Sequence, residues 1–294
     1  MSSLQNKSWK GRQAMNNFWA RTITGLSMVF LLLFSMWYNH WFFAGIFLAI
    51  TILGTWEFYR LFTSEHIQPQ KIYGTVCGCI LYLVAILVLT TGHDQYSVLW
   101  YYLPVIAAML MFFLSFIIEI YRKKKNPLEN IAITATGVLY VALPLVLLNV
   151  LNSPWSVRFL GFPAYLLGYF IITWFYDTGA YLYGKQFGKH KLFERISPKK
   201  TWEGTIAGTL VTGLTAWGFS CLVPGILLAD WMMLALLVVI FGSFGDLTES
   251  MIKRSLNIKD SGNILPGHGG ILDRFDTFFI SAPFVFLYFV LRNI

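Results

Sequence analysis

The residues able to do chemistry gather in two polar stretches of an otherwise apolar chain. Residues 255–276, SLNIKDSGNILPGHGGILDRFD, hold Lys259, Asp260, His268, Asp273, Arg274 and Asp276. Gly267, Gly269 and Gly270 stand among them and allow unusual backbone angles and close approach to a ligand. Just upstream, in FGDLTESMIKRS, Asp246, Glu249 or Ser250, and Lys253 follow at i, i+3 or i+4, and i+7, so they share one helical face. Asp273 and Asp276, three apart, share a face of a final helix in the same way. Carboxylates with no sulfur ligand nearby favour a hard cation such as Mg²⁺, which binds through one or two carboxylates plus substrate phosphates. One histidine among acids is a weak zinc signal, so a phosphate contact or a structural turn suits His268 better.

The second stretch, residues 174–205, reads WFYDTGAYLYGKQFGKHKLFERISPKKTWEGT. Asp177 falls about two helical turns before the end of an apolar run. A carboxylate at that depth costs about 2.5–3.5 kcal/mol on insertion scales unless it is partnered. Two readings stay open: a functional acid, or an acid satisfied by Thr173, Thr178 or a neighbouring helix. The run from Gly179 to Gln186 nearly matches the phosphate loop G-x-x-x-x-G-K-[ST]. It fails as that motif because Gln186 replaces the magnesium-binding hydroxyl and no strand precedes it. Gly184 and Gly188 beside Lys185, Lys189 and Lys191 still suit a polyphosphate. Ser197 is expected to cap a helix whose first turn holds Pro198, with Lys199 and Lys200 at its mouth. Trp202 either stacks a base or sits in the headgroup belt.

These stretches need a scaffold, and the composition says which kind. Of 294 residues, 56% are hydrophobic and 12% charged, which points to a polytopic membrane protein. A hydrocarbon core about 30 Å thick takes roughly 20 residues of helix. The hydropathy pattern predicts an all-α fold of about nine spans, near 22–39, 41–62, 74–91, 98–121, 131–151, 164–184, 205–224, 230–252 and 274–292. With the amino terminus cytoplasmic, all of the 22 lysines and arginines except Arg158 and Arg292 fall on the inner side, as the positive-inside rule asks. Residues 1–21 form a polar lead, and Met15 is an alternative start. The first apolar run ends in bulky residues where a signal cleavage site needs small ones, so it is read as an anchored span. Residues 22–160 are expected to be a chemically bland transmembrane half, and residues 161–294 the catalytic half. The run from Arg122 to Lys125 reads as a topology signal facing anionic lipid heads, with a specific phosphate role as the alternative. Cys77, Cys79 and Cys221 sit in apolar runs and read as packing residues. The net charge of +8 is spread between spans and does not form a stripe for nucleic acid.

The run Ser250-x-x-Lys253-Arg254-x-x-x-x-Lys259-Asp260-x-Gly262-x-x-Leu265-Pro266-x-His268-Gly269-Gly270-Ile271-x-Asp273-Arg274-Phe275-Asp276 resembles the signature of phosphatidate cytidylyltransferases, also called CDP-diacylglycerol synthases. The segments Asp177-Thr-Gly-Ala-Tyr and Ser197-Pro-Lys-Lys-Thr-Trp-Glu-Gly are similar to family segments too, so the likeness covers roughly residues 170–280. It implies condensation of CTP with phosphatidic acid to CDP-diacylglycerol and pyrophosphate, at the cytoplasmic edge of a bacterial inner membrane. It also implies Mg²⁺, with room for a second cation, and homodimers. The resemblance assigns Asp246, Asp273 and Asp276 to metal, and Asp246, Asp273, Lys253 and Arg274 to catalysis. Asp177, Ser197, Lys199, Lys200, Thr201, Glu203, Arg254, Lys259, Asp260 and His268 are assigned to substrate binding.

Two rivals make different demands on the sequence. An ion-coupled carrier using Asp177 and Asp246 would show two related halves and polar residues near the midplane. Here the polar residues collect on one side of the membrane, in one half of the chain. A phosphotransferase consuming CDP-diacylglycerol would carry D-G-x-x-A-R with two later aspartates, a pattern this chain lacks.

Overall fold

The computed structural model describes residues 23–91, 99–152, 163–262, 264 and 269–293. The expected polar lead, Met15, Arg158 and His268 lie outside the described residues.

Nine helices form among the described residues, with one short hairpin. They are α1 (Ile23–Tyr38), α2 (His40–Phe62), α3 (Lys71–Thr91), α4 (Leu99–Arg122), α5 (Pro127–Leu151), α6 (Ala164–Phe187), α7 (Trp202–Leu222), α8 (Leu228–Ser255) and α9 (Leu272–Asn293). Seven helices are long and apolar enough to cross a membrane. The other two are α1, which is short, and α6, which carries the polar stretch around Asp177. The molecule is therefore an all-α polytopic membrane protein. Its exposed faces fit hydrocarbon: Ile206, Leu210, Leu214 and Trp217 line one stripe of α7, and Leu110, Phe113, Ile117 and Ile120 are exposed on α4.

Local sequence sets the helix boundaries. Asn39 caps α2 by accepting from the Trp41 N–H at 2.8 Å, and Pro127 stands at the first turn of α5, where its missing N–H costs nothing. Helix α6 runs on to Phe187, past the expected end at 184, and stops where the Gly188 N–H returns to the Gly184 carbonyl. Two helices contain a π turn, Val138–Ala142 in α5 and Val238–Gly242 in α8. Such turns often sit at functional positions, and the second lies immediately before the helical face that carries Asp246.

One apolar core joins both halves of the chain. Phe43, Phe47 and Tyr59 of α2 belong to the same cluster as Tyr169 and Phe170 of α6, Trp231 of α8, and Phe275 and Phe279 of α9. Buried tyrosines tie helices by hydrogen bonds as well as by area. Tyr59 donates to the Thr134 carbonyl at 2.8 Å, and Tyr82 to the Ala44 carbonyl at 2.9 Å. Glu119 of α4 takes Asn130, Gln70 and Arg122 on its two oxygens at 2.6–2.7 Å. Arg122 is thus half-buried and engaged inside the protein, so only the lysines that follow it remain for a lipid-facing basic run.

Candidate functional site

Between α6 and α7 the chain folds back as a two-stranded antiparallel hairpin, β1 (Lys191–Phe193) and β2 (Ser197–Thr201), with Lys191 opposite Thr201 and Phe193 opposite Ser197. This corrects one expectation. Ser197 does not cap a helix; it begins a strand, because pairing with β1 claims the Ser-Pro-Lys-Lys backbone. The cap is Thr201, whose hydroxyl oxygen accepts from the Gly204 N–H at 3.2 Å. Glu203 then reaches across to the Lys189 and His190 N–H groups at 3.1 Å and to His190 Nδ1 at 2.6 Å. Its carboxylate holds the hairpin against α7.

The hairpin roofs a cavity of about 820 Å³. Its apolar lining includes Met28, Val29 and Leu32 of α1 and Phe170 and Trp174 of α6. Its charged lining comprises four aspartates, Asp177, Asp246, Asp273 and Asp276, and five cations, Lys185, Lys191, Lys199, Lys200 and Arg274. Residues nearly a hundred positions apart in the sequence thus meet at one place. Ser197 and Thr201 line the same wall.

The charges inside are paired in a definite way. Lys200 Nζ lies 2.7 Å from Asp246 Oδ2, while Ser250 donates to Asp246 Oδ1 at 3.3 Å. Lys200 also donates to the Ser243 carbonyl at 3.4 Å, and Tyr176 and Ser243 share a short hydroxyl contact behind it. Lys253 bridges Glu249 Oε2 and Asp273 Oδ1, both at 2.7 Å. Asp273 Oδ2 accepts from the Ser261 N–H at 3.0 Å, the Ser261 hydroxyl at 2.9 Å and the Gly270 N–H at 2.9 Å. Asp276 Oδ1 accepts from the Thr277 N–H at 2.7 Å. Gly269 has φ +82°, and a Cβ there would come within 2.6 Å of Asp273 Oδ2, so only glycine lets the loop close on that carboxylate.

Of the expected site residues, Arg254, Lys259 and Asp260 are exposed and do not line the cavity. Lys253 supports the wall from behind through Asp273. The first half of the chain contributes more than its bland reading allowed. Glu57 of α2 is buried and accepts from the Ile271 N–H at 2.9 Å, the Leu272 N–H at 3.2 Å and the Ser261 hydroxyl. The signal was present in the sequence: an acid within an apolar span, the same cue that marked Asp177.

Among the described residues no three acidic, histidine or cysteine side chains converge closely enough to hold an ion by themselves. Asp246, Asp273 and Asp276 therefore do not form a preassembled cage, Asp273 being turned onto Lys253 and the loop backbone. Yet Asp177, Asp246 and Asp276 line one cavity, with Lys200 paired to Asp246. An all-oxygen donor set of this kind fits a hard divalent cation held by one or two carboxylates and completed by phosphate oxygens.

Fold and site together define a polytopic membrane protein with a cavity lined by both charged and apolar side chains. The chain belongs to the cytidylyltransferase family, whose model matches residues 19–292. It is similar to the phosphatidate cytidylyltransferases of Staphylococcus saprophyticus, at 44% identity over 128 residues, and Staphylococcus haemolyticus, at 47% over 128. The one from Staphylococcus aureus is 49% identical over 124 residues. Each match covers 40% of this chain and 46% of the relative, so it spans under half the length of those proteins. The carrier reading gains nothing from these likenesses or from a site gathered at one end of the helices.

Proposed function

We propose that the protein transfers the cytidylyl group of CTP to phosphatidic acid, releasing pyrophosphate and leaving CDP-diacylglycerol in the membrane. The observation that carries this reading is one cavity lined both by apolar side chains and by lysines and aspartates. A lipid phosphate needs a place where acyl chains pass between helices while its headgroup meets cations, and α1 and α6 contribute apolar residues to the same cavity that the lysine and aspartate cluster lines.

The chemistry asks for little covalent help. An oxygen of the phosphate monoester attacks the α-phosphorus of CTP, the bond to the β-phosphate oxygen breaks, and pyrophosphate departs. That nucleophile is already ionised near neutral pH, so no protein base is required. The obstacle is to hold two polyanions in line and to stabilise the charge that develops on the leaving group. Lys185, Lys191, Lys199, Lys200 and Arg274 supply fixed positive charge on several sides of the cavity. Lys200 pairs with Asp246 beside the other cations and is within the same cavity that the phosphates would enter. Asp246 and Asp276, with Asp177 and Asp273 facing the same space, would hold Mg²⁺. When bound, that cation would offset charge on the reacting phosphates. A homodimer in the cytoplasmic membrane of a bacterium completes the proposal and rests on the resemblance of the signature.

The test uses purified protein in mixed micelles with phosphatidic acid, CTP and Mg²⁺, and follows a cytidine-containing lipid. The expected result is product from the parent and a large loss in Asp246→Asn and Asp273→Asn. Absence of product from a well-folded parent would overturn the assignment.

A further inference from the structure

The residues around Glu57 carry an assignment that neither the signature nor the cavity lining makes. Glu57 sits on α2, more than two hundred positions from its partners, and is 3% exposed. It does not line the cavity. Its two oxygens accept the N–H groups of Ile271 and Leu272, the first turn of α9, and the Ser261 hydroxyl. These are donors that a helix start leaves without partners in its own backbone. A carboxylate there also meets the positive end of the helix.

Two glycines of the signature are explained by the same carboxylate. A Cβ on Gly262 would lie 2.9 Å from Glu57 Oε2 and 3.0 Å from its Cδ. A Cβ on Gly270 would collide with Glu57 Oε1 and with the Ser261 hydroxyl. The backbone at 262 and 270 is bare because the Glu57 carboxylate occupies the space a side chain would need.

Ser261 links this grip to the cavity. Its hydroxyl lies between Glu57 and Asp273, and its N–H holds Asp273 Oδ2 together with the Gly270 N–H. We propose that Glu57 is a positioning residue: it pins Ser261 and the backbone of Ile271 and Leu272 to α2 and so fixes the orientation of Asp273 and Arg274 at the cavity. The inference deepens the nucleotidyl-transfer reading and rests on it for its kinetic consequence. The mechanical consequence is independent of that reading. Supporting groups of this kind commonly change activity by about 10–100-fold when removed.

The experiment pairs hydrogen exchange with kinetics on the full-length protein in micelles. Glu57→Ala is expected to speed amide exchange across 261 and 269–273 while leaving α3 and α4 unchanged. It should lower kcat about 10–100-fold with KM for CTP within about threefold, since Glu57 touches no cavity wall. Glu57→Gln keeps one acceptor oxygen and sets an NH₂ donor against the other N–H, because Ile271 and Leu272 bond different carboxylate oxygens, so it should restore only part of both properties. The coupling with Gly262 separates positioning from general instability. Gly262→Ala should be damaging alone but cost little more when added to Glu57→Ala, because the three atoms nearest to its Cβ among the described residues all belong to the Glu57 carboxyl end. The assignment is overturned if exchange in the loop is unchanged in Glu57→Ala, if KM rises in step with any fall in kcat, or if Gly262→Ala is equally damaging in both backgrounds. A parent without transferase activity that still shows the exchange pattern would defeat the functional reading and leave the pin in place.

Discussion

Replacing Lys253 by methionine gives the sharpest stability test of how the site is built. The ammonium lies 2.7 Å from both Glu249 Oε2 and Asp273 Oδ1, and ties α8 to α9. The side chains of Lys253, Glu249 and Asp273 are 15%, 4% and 9% exposed, so solvent screens the cluster weakly. Removing one member of a buried pair leaves an uncompensated charge and costs about 3–5 kcal/mol. At about 2–4 °C per kcal/mol, Lys253→Met should melt roughly 6–20 °C below the parent in detergent. Methionine has similar length and an apolar stem, so lost packing is not the main term. Adding Glu249→Gln replaces one of the two carboxyl groups left without the ammonium, and should recover part of the loss. Circular dichroism melts of the parent, the single variant and the double variant read this directly. A single variant melting within about 2 °C of the parent, or a double variant less stable than the single one, would refute the reasoning.

Other perturbations probe the hairpin and the cation cluster. Thr201→Ala removes the cap of α7 and should lower stability by about 0.5–2 kcal/mol, measured by urea or thermal unfolding, while Thr201→Ser restores it. Lys200→Met should reduce kcat by about 10²–10³-fold in a steady-state assay with CTP varied, because it removes a cation from the lining of the cavity proposed to hold the reacting phosphates. Lys200→Arg should keep part of the activity, since the charge survives in a bulkier and planar form.

Much of the scaffold could be read from the chain because hydrophobic runs of span length carry a strong one-dimensional signal. The helices over α2 to α5 and α7 to α9 fall close to the expected spans. Asp177 and Asp246 were visible by the cost of a carboxylate at membrane depth, and Asp273 and Asp276 by their shared face at the start of the last span; the structure gathers all four at one cavity. Pairings were not legible. Nothing in the sequence says that Lys200 meets Asp246, or that Lys253 meets Asp273 across twenty positions. The Ser197-Pro198 pair gave a local helix-start signal that a five-residue strand overrode, since strand pairing with residues 191–193 is a non-local effect. Glu57 was missed for a different reason. It lies in a half of the chain whose loops are bland, and its meaning depends on Gly262 and Gly270, which read alone as turn glycines.

The most direct measurement of the central claim follows the fate of the individual CTP phosphates. The parent protein is supplied with phosphatidic acid, Mg²⁺ and CTP labelled with ³²P at either the α or the γ position. Cytidylyl transfer places the α label in the chloroform-soluble lipid and the γ label in aqueous pyrophosphate. A γ label in the lipid, or an α label left entirely in water while CTP is consumed, would contradict it.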